Sequence, residues 1–316
     1  MQQPVWVDAM VEEYESIVRN NVWDVVQRPE EKSMVSSRGL YKVKQPIDGS
    51  VEKHKARFVA LGFSQIEGID YDETFSPVST YSSIKSMLAL SAQMGWKIHQ
   101  MDVKSAFLSG KIEEEVYIEK LEGFETFDHK SHVCRLKRAL YRLKQAPRAW
   151  YTRIDSYFIG LGFTKSEADA NLYHIMVEGK PLITVLYVDD LILTSDDQLI
   201  KSCKEDLARE FKMKDMGLMH YFLGMEVWQK DGEVFVSQGK YANEILRRFH
   251  MEKCKPMQTP LVGNWRKEDA TSGEVVVAIV YQQLVGSLMY LVNTRPDLCF
   301  AVNQLSQAMV QPTKLY

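Results

Sequence analysis

Two kinds of periodicity organise the chain. Over residues 182–189, Leu182, Thr184, Leu186 and Val188 fall on one side, and Ile183, Val185, Tyr187 and Asp189 on the other. Both sides are mostly apolar, which places this strand inside a sheet. A second apolar strand, Leu191–Thr194, follows after only Asp189-Asp190, where a two-residue hairpin turn ordinarily takes Gly or Asn. Lys97–Val103 predicts a further strand. Leu40–Val43 and Lys55–Leu61 predict a hairpin turning at Asp48-Gly49, and another hairpin turns at Asp231-Gly232. Helical spacing covers residues 8–18, Ser82–Met94, Pro147 to about Gly160, and Gln198–Phe211, with Pro147 suited to a first helical turn. Beyond about Lys240 the pattern is helical, interrupted near Pro256 and Pro260. This order describes an α+β fold with helices on one face of a sheet and a separate helical lobe in the C-terminal third.

Residues 275–294 carry no charge over the length of a membrane-spanning helix. Gln282, Gln283, Gly286 and Ser287 interrupt them, and Leu284, Val285, Leu288, Leu291 and Val292 form a single stripe. That predicts a buried helix of a water-soluble fold and no membrane partner. The 316 residues suggest about two domains, and 45% hydrophobic with 26% charged residues excludes wholesale disorder. Cys134, Cys203, Cys254 and Cys299 lie far apart, which excludes a disulfide scaffold and suits a reducing compartment. No secretory signal opens the chain.

A net charge of −3 is a weak advertisement for a nucleic-acid binder. Its distribution says more, because Lys130, Arg135, Lys137, Arg138, Arg142, Lys144, Arg148 and Arg153 follow one another without an acid among them. Alone, such a run is a solvated face. It gains meaning only beside a site that uses phosphates.

Two adjacent carboxylates in a hairpin turn repel each other, and local rules tend to break at functional sites. In WKIHQMDVKSAFL, Asp102 ends a third apolar strand. Magnesium takes one or two carboxylates plus substrate phosphates. Two such ions can activate an attacking 3′-hydroxyl and stabilise leaving pyrophosphate. Asp102, Asp189 and Asp190 are the candidate ligands if their strands are neighbours.

YVDD at 187–190 resembles the catalytic turn of reverse transcriptases, and the chain as a whole is similar to the copia-type reverse transcriptase of long-terminal-repeat retrotransposon Pol polyproteins. The matching blocks are VEKHKARFVALGFSQIEGIDYDETFSPV, QMDVKSAFLSGKIEEEVYI, LKRALYRLKQAPRAWY, YVDDLIL, MHYFLGMEV and YQQLVGSLMYLVNTRPDLCFAV, in the family's order. The resemblance implies a right-hand polymerase. Fingers would occupy residues 1–95, the palm 96–238 with inserted fingers elements at about 110–148, and the thumb 239–316. It implies an RNA-directed DNA polymerase in which Asp102, Asp189 and Asp190 hold two Mg2+ ions (Mn2+ as substitute), with the Val103 carbonyl as a further ligand. Lys55, Arg57, Gln145 and Tyr187 would meet the incoming dNTP. Phe107 would be the aromatic gate that leaves no room for a 2′-hydroxyl. Lys144 and Arg148 would neutralise backbone phosphates of an RNA or DNA template-primer duplex. Leu223, Gly224 and Met225 would hold the primer terminus, the glycine permitting close approach.

Some positions depart from the family pattern. Gly39-Leu40-Tyr41-Lys42 lacks a tryptophan usual before Tyr-Lys, Arg142 stands where a glycine is usual, and Glu119–Glu122 replaces the common approach to Phe124. No aspartic-protease triplet, zinc-binding integrase head or ribonuclease H cluster is evident. The chain therefore reads as a polymerase segment whose partners are the ribonuclease H and integrase parts of a parent polyprotein. Virus-like particles in the cytoplasm are the expected location. The alternative is a catalytically silent relic that retains the fold and binds nucleic acid.

Overall fold

The structure, a computed structural model, describes residues 4–44, 53–119, 131–261 and 273–314. The expected turn at Asp48-Gly49, the basic residue Lys130 and the approach to Phe124 lie outside them. The chain divides into two compact units, Met1–Ile84 with His99–Gly217, and Lys85–Ile98 with Leu218–Tyr316.

The first unit begins with helix α1 (Pro4–Arg19), strands β1 (Trp23–Gln27) and β2 (Met34–Val35), and the hairpin β3 (Ser37–Lys44) and β4 (Lys53–Ala60). Helix α2 (Tyr81–Met94) and strand β5 (Lys97–Val103) follow, with Lys85–Ile98 counted in the second unit, then α3 (Ala106–Ser109), β6 (Tyr117–Ile118), β7 (His132–Leu136) and α4 (Ala146–Gly160). Next come β8 (Thr164–Lys165), β9 (Leu172–Val177), β10 (Lys180–Tyr187), β11 (Asp190–Ser195), α5 (Asp197–Glu210) and β12 (Met213–Leu218). The central sheet has the order β12-β5-β11-β10-β9-β8. A smaller sheet, β1-β7-β6-β2, stands beside the two-stranded β3-β4 hairpin.

Helices cover one face of the central sheet because their apolar residues recur at helical spacing. Helix α4 buries Ala146, Trp150, Ile154 and Phe158. Helix α5 buries Ile200, Cys203 and Leu207, and its N-cap Asp196 accepts a hydrogen bond from the Gln198 amide. Both share one core with Met101 and Val103 of β5 and with Leu191 and Leu193 of β11. Burial pushes the Cys203 thiol up to about 12, so it is a neutral packing group. At Gly110 a Cβ would come within 2.6 Å of the Ala149 carbonyl carbon, so only glycine lets this loop lie against α4. Helix α1 packs on β4 through Ala9, Met10 and Ala56.

In the second unit, β13 (Tyr221–Phe222), β14 (Met225–Lys230) and β15 (Glu233–Ser237) form an antiparallel sheet whose second hairpin turns at Asp231-Gly232. Helices α6 (Gly239–Arg248), α7 (Ala278–Leu291) and α8 (Cys299–Ser306) follow. The uncharged stretch becomes α7, 14 residues long, which buries Tyr281, Val285, Ser287 and Leu291. Among the described residues no helix is long and apolar enough to cross a membrane.

Asp169, 6% exposed, ties the loop before β9 to the start of α2. It accepts hydrogen bonds from the Ser79 hydroxyl (3.0 Å) and from the Thr80 and Asn171 amides (2.9 Å each). Burial alone would raise its pKa, but hydrogen bonds to the charged form, with Ser83 the largest, hold it below the usual aspartate range. Asp169→Ala leaves those donors without their acceptor and is expected to cost about 2–3 kcal/mol in urea unfolding. A depressed folded pKa means this stabilisation is present above the unfolded aspartate pKa and is lost as pH falls through the folded one. The acid limb of the wild-type stability curve should therefore flatten in Asp169→Ala.

Candidate active site

On β5, Met101 and Val103 point into the helix-covered core. Strand alternation sends Gln100 and Asp102 to the opposite face. On β11, Leu191 and Leu193 share that core, so Asp190 lies on the same open face as Asp102. The strands are neighbours, and the Gln100 side-chain amide donates to Asp190 Oδ1 at 2.9 Å. Two carboxylates remote in sequence thus share one face of adjacent strands, with Asp189 beside them in the turn.

That turn differs from the expected one. Tyr187 pairs with Asp190, so the two central residues are Val188 and Asp189, and Asp190 opens the second strand. Val188 takes the positive φ (57°) that hairpin geometry demands. A β-branched residue there is strained by about 1–3 kcal/mol. Two bonds hold it: the buried indole of Trp150 donates to the Val188 carbonyl at 2.6 Å, and the Val103 amide donates to the Asp189 carbonyl at 2.8 Å. Trp150 is itself fixed edge-on to Phe211, with ring centroids 5.5 Å apart. Besides packing in the core, this tryptophan uses its indole N–H to hold the turn.

The carboxylates feel one another. Burial pushes the Asp189 carboxyl above the usual range and Asp102 adds to the push, while the residue's own backbone, Arg57 and Lys55 pull it back. Burial likewise raises Asp190, opposed by the Gln100 hydrogen bond and reinforced by Asp189 and Asp102. Crowded, partly desolvated carboxylates of this kind favour a bound cation or proton. Among the described residues no three His, Cys, Asp or Glu side chains are grouped so as to hold a metal ion by themselves.

Lys55 and Arg57 project from one face of β4, two residues apart. The Arg57 guanidinium lies over the Tyr141 ring, 4.5 Å from its centroid, and its Nε is buried with no hydrogen-bond partner. Phe107 stands edge-on to the same ring at 5.6 Å. Tyr187 faces the open side of the sheet as the cross-strand partner of Asp190.

The remaining expected residues sit differently. Gln145, 3% exposed, donates to the Asp70 carbonyl (2.8 Å) and accepts from Gln65 (3.0 Å), so its amide is committed inside the protein. Lys144 donates to the Tyr71 hydroxyl at 2.9 Å, and Arg148 pairs with Glu73 at 3.4 Å. Other cations of the basic run are also ion-paired, Lys137 with Asp24, Arg135 with Glu115 and Arg153 with Glu210, each at an exposed position where such pairs contribute little. Arg142 has φ 69°, which explains why glycine would suit it. In the second unit Leu223 and Gly224 both have positive φ, and the Leu223 carbonyl accepts from the Tyr290 hydroxyl. A Cβ at position 224 would collide with that hydroxyl, so the close approach observed there is to Tyr290. Met225 is buried.

These features coincide with a family assignment. The family model described as reverse transcriptase (RNA-dependent DNA polymerase) matches residues 20–263, and the chain belongs to that family. More particularly, it is 38% identical over 312 residues to the retrovirus-related Pol polyprotein from transposon RE1 of Arabidopsis thaliana, covering 98% of this chain and 21% of that one. It is 39% identical over 317 residues to the corresponding polyprotein from transposon TNT 1-94 of Nicotiana tabacum, covering 97% of this chain and 24% of that one. The chain thus spans less than a quarter of the length of these relatives.

Trp150→Phe tests the turn. It keeps most of the apolar volume and removes the donor to Val188, and is expected to cost about 1–2 kcal/mol in chemical unfolding. Stability unchanged from wild type would show that the indole bond does not support the turn.

Proposed function

We propose that the chain is an RNA-directed DNA polymerase segment of a retrotransposon Pol polyprotein, extending a primer 3′ end with deoxynucleotides on an RNA or DNA template. The observation that carries this reading is the placing of Asp102 and Asp190 on one open face with Asp189 beside them in the turn, where burial and the neighbouring carboxylates raise Asp189 and Asp190 beside the cations of β4. In the reaction the primer 3′-oxygen forms a bond to the α-phosphorus of the dNTP. The bond to the β-phosphate oxygen breaks, pyrophosphate leaves, and the hydroxyl proton passes to solvent or a nearby base.

The donor set fits divalent magnesium. It is all oxygen, and a pair of carboxylates with a third in the adjoining turn suits an ion that completes its shell with water and substrate phosphates. Asp102, Asp189 and Asp190 would hold it, with the Val103 carbonyl as a neighbour, and Mn2+ would substitute. When bound, the ions lower the pKa of the attacking hydroxyl and offset charge on the departing pyrophosphate. The chain's own residues do the rest. Arg57, stacked on the Tyr141 ring, offers a guanidinium to triphosphate oxygens, in the planar form suited to bidentate binding. Lys55 adds charge, Phe107 closes the space where a 2′-hydroxyl would sit, and Tyr187 lines the same face. Gln145 acts from within, bracing the segments of Gln65 and Asp70.

The proposal includes a right-hand layout, with fingers in 1–95, palm in 96–238 with inserted fingers elements at about 110–148, and thumb in 239–316. Lys144, Arg148 and the Leu223-Gly224-Met225 hairpin would meet the template-primer duplex. Ribonuclease H and integrase segments of the parent polyprotein would be partners, in cytoplasmic virus-like particles.

A primer-extension assay on a homopolymer RNA template with Mg2+ and dNTPs tests this. Asp189→Asn should lower extension by about 100-fold or more, while its melting temperature stays at or above wild type because a crowded charge has been removed. A folded mutant with wild-type activity rules out the mechanism. Phe107→Ala should relax discrimination against ribonucleotides by roughly 10- to 100-fold, read as the ratio of kcat/KM values. An unchanged ratio would remove Phe107 from sugar selection.

A further inference from the structure

Tyr141 is 9% exposed and occupies the junction of three groups that approach from different parts of the first unit. Its backbone continues the edge of β4, accepting from the Ala60 amide at 3.0 Å and forming a bridge with Val59. Its ring carries Arg57 and packs T-shaped with that of Phe107, the two planes at 83°. Its hydroxyl hydrogen-bonds to Ser105. Ser105 holds a left-handed backbone (φ 60°) in the short link between Asp102 and Phe107, and its own hydroxyl lies 3.2 Å from that of Ser16 on α1. Glu13, also on α1, accepts from the Phe58 amide of β4 at 3.2 Å. Both α1 residues precede the stretch that matches the family model.

From this placement we infer that Tyr141 is a positioning residue for the nucleotide, setting Arg57 and Phe107 at a fixed separation so that phosphate capture and sugar selection act together. The inference rests on the polymerase reading. The physical reason is that both partners meet on the one ring. Arg57 rests on an aromatic face, and a cation over a ring is held in place yet keeps its N–H groups free for an incoming anion. Phe107 is only partly buried, and edge-to-face packing on Tyr141 defines its tilt. Removing the ring frees both at once. Removing only the hydroxyl leaves the ring where backbone bonding to β4 puts it, and loosens the Ser105 link alone.

The test measures steady-state primer extension by wild type, Tyr141→Leu and Tyr141→Phe, with dNTPs and rNTPs separately. Tyr141→Leu should raise dNTP KM about ten-fold, the size expected for losing a partly desolvated cation–π contact. It should also lower the deoxy-to-ribo preference about ten-fold, and Tyr141→Phe should restore both. A purely structural tyrosine would reduce the active fraction, and so kcat, without moving KM or the sugar ratio. A folded, active Tyr141→Leu with both quantities unchanged overturns the inference while the polymerase reading stands. A wild-type chain that extends no primer overturns both. If Tyr141→Leu does not fold, the Arg57→Lys and Phe107→Leu single and double variants decide, since residues coupled through a shared partner act non-additively. Strictly additive effects on KM and sugar ratio overturn the inference, and non-additive ones support it.

Discussion

The site depends on a two-residue turn held at both of its central carbonyls. Val188 adopts a backbone conformation that its branched side chain disfavours, and it stays there because the Trp150 indole fixes its carbonyl while the Val103 amide fixes that of Asp189. The second bond comes from β5, the strand that carries Asp102. This clamp thus shapes the turn, ties it to the strand that carries Asp102, and leaves Asp102 and Asp190 on one open face with Asp189 beside them. The core beneath, packed between the sheet and helices α4 and α5, supplies the stiffness that this arrangement requires.

Around the acids the protein places charge and aromatic surface in a definite sequence. The cations of β4 lower the cost of holding Asp189 ionised, Tyr141 carries Arg57 and packs T-shaped with Phe107, and Gln100 orients Asp190. The basic run that follows residue 129 turns out to be mostly occupied with Glu73, Glu115, Asp24 and Glu210. Positive charge near the acids therefore comes from a strand and not from that run, and a net charge of −3 is compatible with the proposed phosphate-handling site.

Much of this was legible in the sequence where periodicity is strong. Strand Lys97–Val103 has the bounds its alternation predicts, and the helices after Thr80, Gln145 and Asp196 begin within a residue or two of their expected starts. Short strands such as β6 and β8 escaped, because two residues carry no period. The turn was found but displaced by one residue: two aspartates looked like the turn, whereas cross-strand pairing of Tyr187 with Asp190 moves the strain onto Val188. The tasks of Trp150, Gln100 and Tyr141 were not legible in the sequence, because each acts through a hydrogen bond or ring contact spanning from 34 to 90 positions. Gln145 shows the converse, a polar residue in a conspicuous block whose amide is bonded inward.

The central claim is that Asp102 and the Asp189-Asp190 pair serve one shared cation site. Iron-directed cleavage addresses it directly: Fe2+ replaces Mg2+ in the protein bound to primer-template, ascorbate and peroxide are added, and the cut positions in the chain are mapped. The account expects two clusters of cuts, beside Asp102 and beside Val188–Asp190, both suppressed by excess Mg2+. Cuts at only one of these places, or cuts that Mg2+ does not suppress, would contradict it.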